Sequence, residues 1–165
     1  YPGSDKYIML TCNSSTKFDK YETVAFHVKT NDKSFKIHSI NTFKNFKKKI
    51  DKIKKDLEKI LSRLKEQKKI IHGYGASTKG NVLLQYFGIN SRYIDFISDR
   101  NPKKSNCYTP GTNIKIISEP KSRSLNPDYY LVLPWHFKKE ILQREKNIRK
   151  KGTKFIFPLP IPKII

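Results

Sequence analysis

Lys69-Ile70-Ile71-His72-Gly73-Tyr74-Gly75-Ala76-Ser77-Thr78-Lys79-Gly80-Asn81-Val82-Leu83-Leu84-Gln85-Tyr86-Phe87-Gly88 decides how the rest of the chain reads. Ile70-Ile71-His72 is a short β-prone run, Gly73-x-Gly75 a turn, and Asn81-Val82-Leu83-Leu84-Gln85-Tyr86-Phe87 a helix stopped by Gly88. Glycines at a strand-to-helix turn allow tight bending and let a phosphate approach free backbone N–H groups at the helix start. Ser77 and Thr78 add hydroxyls there, and Lys79 adds a positive charge in the first turn. A G-x-G-x-x-G dinucleotide fingerprint needs glycine at position 78, where this chain has Thr78, and Gly80 arrives two residues late. The alternative reading is that Gly75 and Gly80 serve only close packing of helix on strand.

Downstream the same alternation continues. Tyr93-Ile94-Asp95-Phe96-Ile97-Ser98 reads as a strand ending at Asp99, and Asn113-Ile114-Lys115-Ile116-Ile117 as another after a Pro110-Gly111 turn. Tyr129-Tyr130-Leu131-Val132-Leu133 is a buried-type strand, His136–Lys150 a helix, and Lys154-Phe155-Ile156-Phe157 a last strand. Strands alternating with helices predict an α/β fold, a Rossmann-like, mostly parallel sheet of about five strands with flanking helices. Asp99, 24 residues beyond Gly75, stands where a dinucleotide fold keeps its ribose-binding acid. The following Arg100-Asn101-Pro102 forms a turn or favours a 2′-phosphate. Trp135 and His136 fall at the carboxyl edge, where open α/β sheets bind ligands; Trp135 either stacks on a base or sugar or seals the core edge. His72 beside the turn reads as a satisfied structural histidine.

Upstream, Phe43, Phe46, Ile50, Ile53, Leu57, Ile60, Leu61 and Leu64 recur at steps of three and four, predicting one long amphipathic helix over 40–68 with Ser39 or Asn41 at its start. Asp51 and Lys55 make an expected i,i+4 pair on its outer face. Residues 1–38 hold short extended runs at 7–11, 23–28 and 35–38, too few for a sheet of their own. The expected organisation is therefore a β-rich extension or remnant of a preceding domain at 1–38, a linking helix at 39–68 and a Rossmann-like domain at 69–165. The chain starts at Tyr1, which suggests an excised or processed piece.

Its 165 residues carry 35 Lys+Arg against 14 Asp+Glu, a formal net charge of +21. Such an excess invites a polyanionic partner. Yet 29 of the 35 basic residues are Lys, beside 20 Ile and 11 Asn, a pattern that AT-rich coding produces. Lys is also poorer than Arg at bidentate recognition of phosphates and bases. Aromatics are scattered through strands rather than clustered with Arg, so a nucleic-acid partner is not expected. Nor is a membrane, since no apolar run approaches the roughly 18 residues a spanning helix needs. Two cysteines, Cys12 and Cys107, suit a reducing cytoplasm. The four histidines, His27, His38, His72 and His136, show no metal-ligand spacing, and no serine sits in a nucleophile elbow. Neither catalytic nor metal-binding residues are expected in this chain, and no cofactor is assigned to it.

With these residues placed, Gly73-Tyr74-Gly75-Ala76-Ser77-Thr78-Lys79-Gly80-Asn81 resembles the glycine-rich turn in the C-terminal domain of S-adenosylmethionine-dependent sugar C-methyltransferases. Agreement continues through Asp99-Arg100-Asn101-Pro102-Lys103, Tyr108-Thr109-Pro110-Gly111-Thr112 and Pro127-Asp128-Tyr129. It resumes at Leu133-Pro134-Trp135 and at Gly152-Thr153-Lys154-Phe155-Ile156 with Pro158. The resemblance covers about residues 40–165. The chain departs from it at Ser77-Thr78, where the family usually shows Pro-Ala, and at His136, where Asn is usual.

The resemblance implies a substrate-side domain that helps enclose a nucleotide-linked deoxysugar. The zinc region and the S-adenosylmethionine-binding domain, with the catalytic His, Glu and Tyr, would lie elsewhere in the same or a partner chain. The substrate-binding candidates are then Gly73, Tyr74, Gly75, Ser77, Thr78, Lys79, Asn81, Asp99, Arg100, Trp135 and His136. Two other readings stay open: a nicotinamide-dinucleotide module or oxidoreductase on the same turn, and a basic nucleic-acid-binding protein.

Overall fold

The structure, a computed structural model, describes residues 39–165, so the expected strands of 1–38, His27, His38 and Cys12 lie outside the described residues. Two compact units divide the chain, Tyr1–Phe46 and Lys47–Ile165. The second is built on a six-stranded sheet: β1 (Ile71–Tyr74), β2 (Phe96–Asp99), β3 (Ile116–Ser118), β4 (Tyr129–Val132), β5 (Lys154–Phe157) and β6 (Lys163–Ile164). Their order is β3-β2-β1-β4-β5-β6, with the first five parallel and β6 antiparallel to β5. Sequence reading anticipated the first five and not the two-residue sixth.

This order reverses direction between β1 and β4, which places a crevice above their carboxyl ends. In register, Tyr74 lies beside Val132 on one side and Ser98 on the other. The strands are buried on both faces, as a doubly covered parallel sheet requires. On one face Ile71, Ile97, Leu131 and Ile156 join Leu57, Leu61 and Leu64 of α1 (Ile40–Glu66) and Leu83, Leu84 and Phe87 of α2 (Thr78–Phe87). On the other, Tyr74, Tyr130, Val132, Phe155 and Phe157 pack with Ile141 of α4 (Lys138–Arg144).

The apolar stripe of α1 is narrower than its periodicity predicted. Leu57, Leu61 and Leu64 are buried, and Ile50, Ile53 and Ile60 lie partly buried against them. Phe43 and Phe46 instead stand exposed. The outer-face pair is also shifted by one turn, joining Lys47 to Asp51 at 2.9 Å rather than Asp51 to Lys55.

Two further elements depart from expectation. A short α3 (Glu119–Ser124) follows β3 directly, with Ser118 capping the amide of Lys121 and Pro120 in its first turn. The segment expected as one helix over His136–Lys150 is a 3₁₀ turn at Trp135–Phe137, then α4, then α5 (Lys146–Lys150). The break falls at Glu145, whose carboxylate is drawn into the protein.

Backbone pairing continues beyond β5 and β3 on the two sides of the sheet. β5 exchanges backbone hydrogen bonds with Ile165 through Phe155, each at 2.9 Å. On the far side, Ile116 of β3 accepts from the Asn106 amide at 2.9 Å and donates to the Cys107 carbonyl at 2.8 Å. A bridge between Tyr108 and Lys115 extends that cover.

Candidate functional site

Three glycines shape the turn between β1 and α2, each for its own reason. Gly73 lies against β2, and a Cβ there would come 2.8 Å from Ile97 Cγ1. Gly75 has φ +80°, a conformation that glycine adopts without steric cost. Gly80 lies so close to the segment after β4 that a Cβ would sit 2.5 Å from Leu133 Cβ. Gly80 thus does the packing work of a third fingerprint glycine from a position two residues late.

The turn satisfies most of its own amides. Gly75 N–H donates to the Ser98 carbonyl at 2.7 Å, and Ser77 N–H to the Gly75 carbonyl at 2.9 Å. Ser77 Oγ accepts from Gly80 N–H at 3.0 Å as the helix N-cap. Thr78 and Lys79 follow in the first turn, where N–H groups have no intrahelical acceptor.

Asp99 ends β2 at the expected height but faces inward. One carboxylate oxygen accepts from Ala76 N–H at 2.7 Å and lies 3.6 Å from Lys104 Nζ; the other accepts from Asn101 N–H at 2.8 Å. An acid so engaged is poorly placed to grip both hydroxyls of a ribose.

A cavity of about 540 Å³ opens at these carboxyl ends. Tyr74, Ala76, Pro134, Phe137 and Ile141 give it apolar walls. Around them stand Asp99, Arg100, Lys104, Glu119, Glu140 and Arg144, three acids and three cations. The mixture suits a ligand that combines flat or apolar parts with phosphate or hydroxyl groups.

Behind the cavity wall runs a polar network centred on Glu145, which is only 2% exposed. Its carboxylate accepts from the Tyr74 hydroxyl at 2.8 Å, Arg144 Nε at 3.0 Å and an Arg123 terminal nitrogen at 3.1 Å. Arg144 also donates to the Tyr74 hydroxyl and, at 2.9 Å, to Glu119. Burial pushes the Glu119 carboxyl above its usual range, opposed by the nearby Arg123 guanidinium. Glu145→Gln keeps the shape but removes the charge that both half-exposed arginines share. It should lower stability by about 2 kcal/mol in urea unfolding. An unchanged midpoint would mean the network contributes no net stability.

The structure gathers part of the predicted set. Tyr74, Gly75, Ser77, Asp99 and Arg100 line the cavity. Gly73 lies inside β1, while Thr78 and Lys79 are exposed on the first turn of α2. Asn81 is half-buried, and its Oδ1 is buried with no hydrogen-bond partner. Trp135 packs, partly buried, against both core layers. His136 is exposed, with its ring against Trp135 and Phe137. His72 is buried, its Nδ1 2.8 Å from Ser122 Oγ, which in turn lies 2.8 Å from the Tyr130 hydroxyl.

Sequence reasoning did not find Lys104, Glu119, Glu140 or Arg144. Of these only Glu119 had a local signal, the Ser118-Glu119-Pro120 helix start. Among the described residues no cluster of His, Cys, Asp and Glu is arranged to hold a metal ion. Among them, too, no helix is long and apolar enough to cross a membrane.

Comparison with known proteins adds two findings. The profile of a family described as "C-methyltransferase C-terminal domain" matches residues 6–160. The C-methyltransferase NovU of Streptomyces niveus is 32% identical over 123 residues, which cover 74% of this chain. Those residues amount to 29% of NovU, so the chain spans about three tenths of that relative's length.

Proposed function

Because the chain belongs to the family of C-methyltransferase C-terminal domains, we propose that it is the substrate-side domain of a sugar C-methyltransferase and binds a nucleotide-linked deoxysugar. The cavity at the carboxyl edge of the sheet carries this reading. Arg100 lines the cavity, and its guanidinium, near Glu119 but in no side-chain hydrogen bond among the described residues, can meet a diphosphate. Lys79, exposed in the first turn of α2, supplies a second cation. Arg144 and Glu119, paired with each other at 2.9 Å, form a charged stretch of the cavity wall.

Methyl transfer to carbon needs a base that forms an enolate-like carbanion and a methyl donor held in line. S-adenosylmethionine supplies the methyl group in this reading, from a domain of the same or a partner chain. The turn described above does not suit that donor, since Asp99 already binds Ala76 and Asn101 and is poorly placed for a second ribose. This chain's part is to bind and orient, and by itself it is expected to transfer no methyl group. A cytoplasmic setting accords with the free Cys107.

Calorimetry with thymidine diphosphate should give saturable binding, and Arg100→Ala and Lys79→Ala should each weaken it by about tenfold. The reading fails if the chain binds neither thymidine diphosphate nor a thymidine-diphosphate-linked deoxysugar, even when mixed with a methyl-donor-binding domain.

A further inference from the structure

We propose that Lys104 and Asp99 are positioning residues that clamp the Ala76 peptide from both ends and so fix the wall of the cavity. Ala76 N–H donates to Asp99 Oδ2 and the Ala76 carbonyl accepts from Lys104 Nζ, both at 2.7 Å. The ammonium also lies 3.6 Å from that same Asp99 oxygen, which closes the arrangement into a ring. A turn that pivots on a glycine at φ +80° has many backbone conformations open to it, so external ties help select one.

The loop that brings Lys104 back is built for this. Asp99 Oδ1 accepts from Asn101 N–H, and Asn101 Oδ1 accepts from Lys103 N–H at 3.0 Å, opening the 3₁₀ turn Pro102–Lys104. Asp99 therefore holds the turn after β1 with one oxygen and shapes its own loop with the other. Two cations from this loop line the cavity in different states. Lys104 is committed to the wall, whereas Arg100 makes no side-chain hydrogen bond among the described residues.

The link to ligand binding rests on the nucleotide-sugar reading, so the test has two independent readouts on the full chain. One is hydrogen exchange at the Ala76 and Ser77 amides without ligand; the other is calorimetry with thymidine diphosphate. Lys104→Met should speed exchange at Ala76 and weaken thymidine diphosphate binding, each by about tenfold. Lys104→Arg should restore most of both. Arg100→Ala should weaken binding while leaving exchange as in the parent.

Unchanged exchange in Lys104→Met would overturn the clamp, and lost affinity beside unchanged exchange would make Lys104 a direct ligand contact. Faster exchange with unchanged affinity would overturn its bearing on the cavity. If the parent chain does not bind thymidine diphosphate, the proposed function fails and exchange alone judges the clamp. Lys104 is half-exposed, and thermal melting checks that each variant folds.

Discussion

Gly80→Val should destabilise the protein by about 3 kcal/mol, because overpacking a site that cannot yield forces the backbone apart. The added Cβ would begin 2.5 Å from Leu133 Cβ and 2.9 Å from the capping Ser77 Oγ. Leu133 Cβ is one bond from its backbone and cannot swing aside as a side-chain tip does. The strain would therefore lift α2 from the sheet and pull Ser77 away from the Gly80 amide. Gly80→Ala should cost less than Gly80→Val, since it adds no γ carbons and alanine's helix propensity exceeds valine's by about 0.5 kcal/mol. Gly88→Ala makes the control. It too is a glycine of α2's boundary, with φ +72°, but a Cβ there meets nothing within 4 Å. Its cost is limited to backbone strain, about 1 kcal/mol. Urea unfolding that ranks Gly80→Val no worse than Gly88→Ala would remove close packing as the reason for this glycine.

The second large effect is a loss of stability in acid, traced to His72. Burial against Phe96 and Tyr130 disfavours the charged imidazole and lowers its pKa from 6.5 to about 4; Asp95 opposes the shift and Lys65 adds to it. The folded state thus binds its proton later than the unfolded state does. The resulting stability is fully present above about pH 6.5 and is lost as pH falls toward 4. The difference corresponds to about 3 kcal/mol. Unfolding free energies from pH 7.5 down to 4 should therefore fall more steeply for the parent chain than for His72→Gln, which keeps a polar partner for Ser122. Parallel profiles would show that another group carries the acid sensitivity.

The fold was legible where local pattern and tertiary role coincide. β4 and β5 are buried on both faces, so their apolar runs point to one answer. α2 begins three residues earlier than its apolar residues suggested, because the Ser77 cap, not hydrophobicity, sets its start. The helix break at Glu145 was not legible: His136–Lys150 has continuous helical character, and only Tyr74, Arg123 and Arg144, distant or adjacent in sequence, explain why position 145 turns inward. Phe43 and Phe46 share the phase of the buried leucines but not their surroundings, which periodicity cannot report.

The site divides the same way. Residues of the glycine turn sit together because the chain itself brings them there. Lys104 reaches the cavity from the 3₁₀ turn after β2, Glu119 from the start of α3 and Arg144 from the end of α4, so their meeting is a consequence of strand order. Asp99 shows a subtler limit. Its spacing correctly placed it at the end of β2, yet spacing says nothing of the Ala76 amide that turns the carboxylate inward.

The short segments paired with β5 and β3 bear on how this domain can join anything else. An open strand offers a ladder of unused N–H and C=O groups that a foreign segment can extend. Here Phe155 is already matched to Ile165, and Ile116 to Asn106 and Cys107. A partner's strand would reach β5 or β3 only by displacing one of these short segments. Deleting Lys163-Ile164-Ile165 would leave β5 as an open edge and favour self-association, which light scattering would read as a rise in mass.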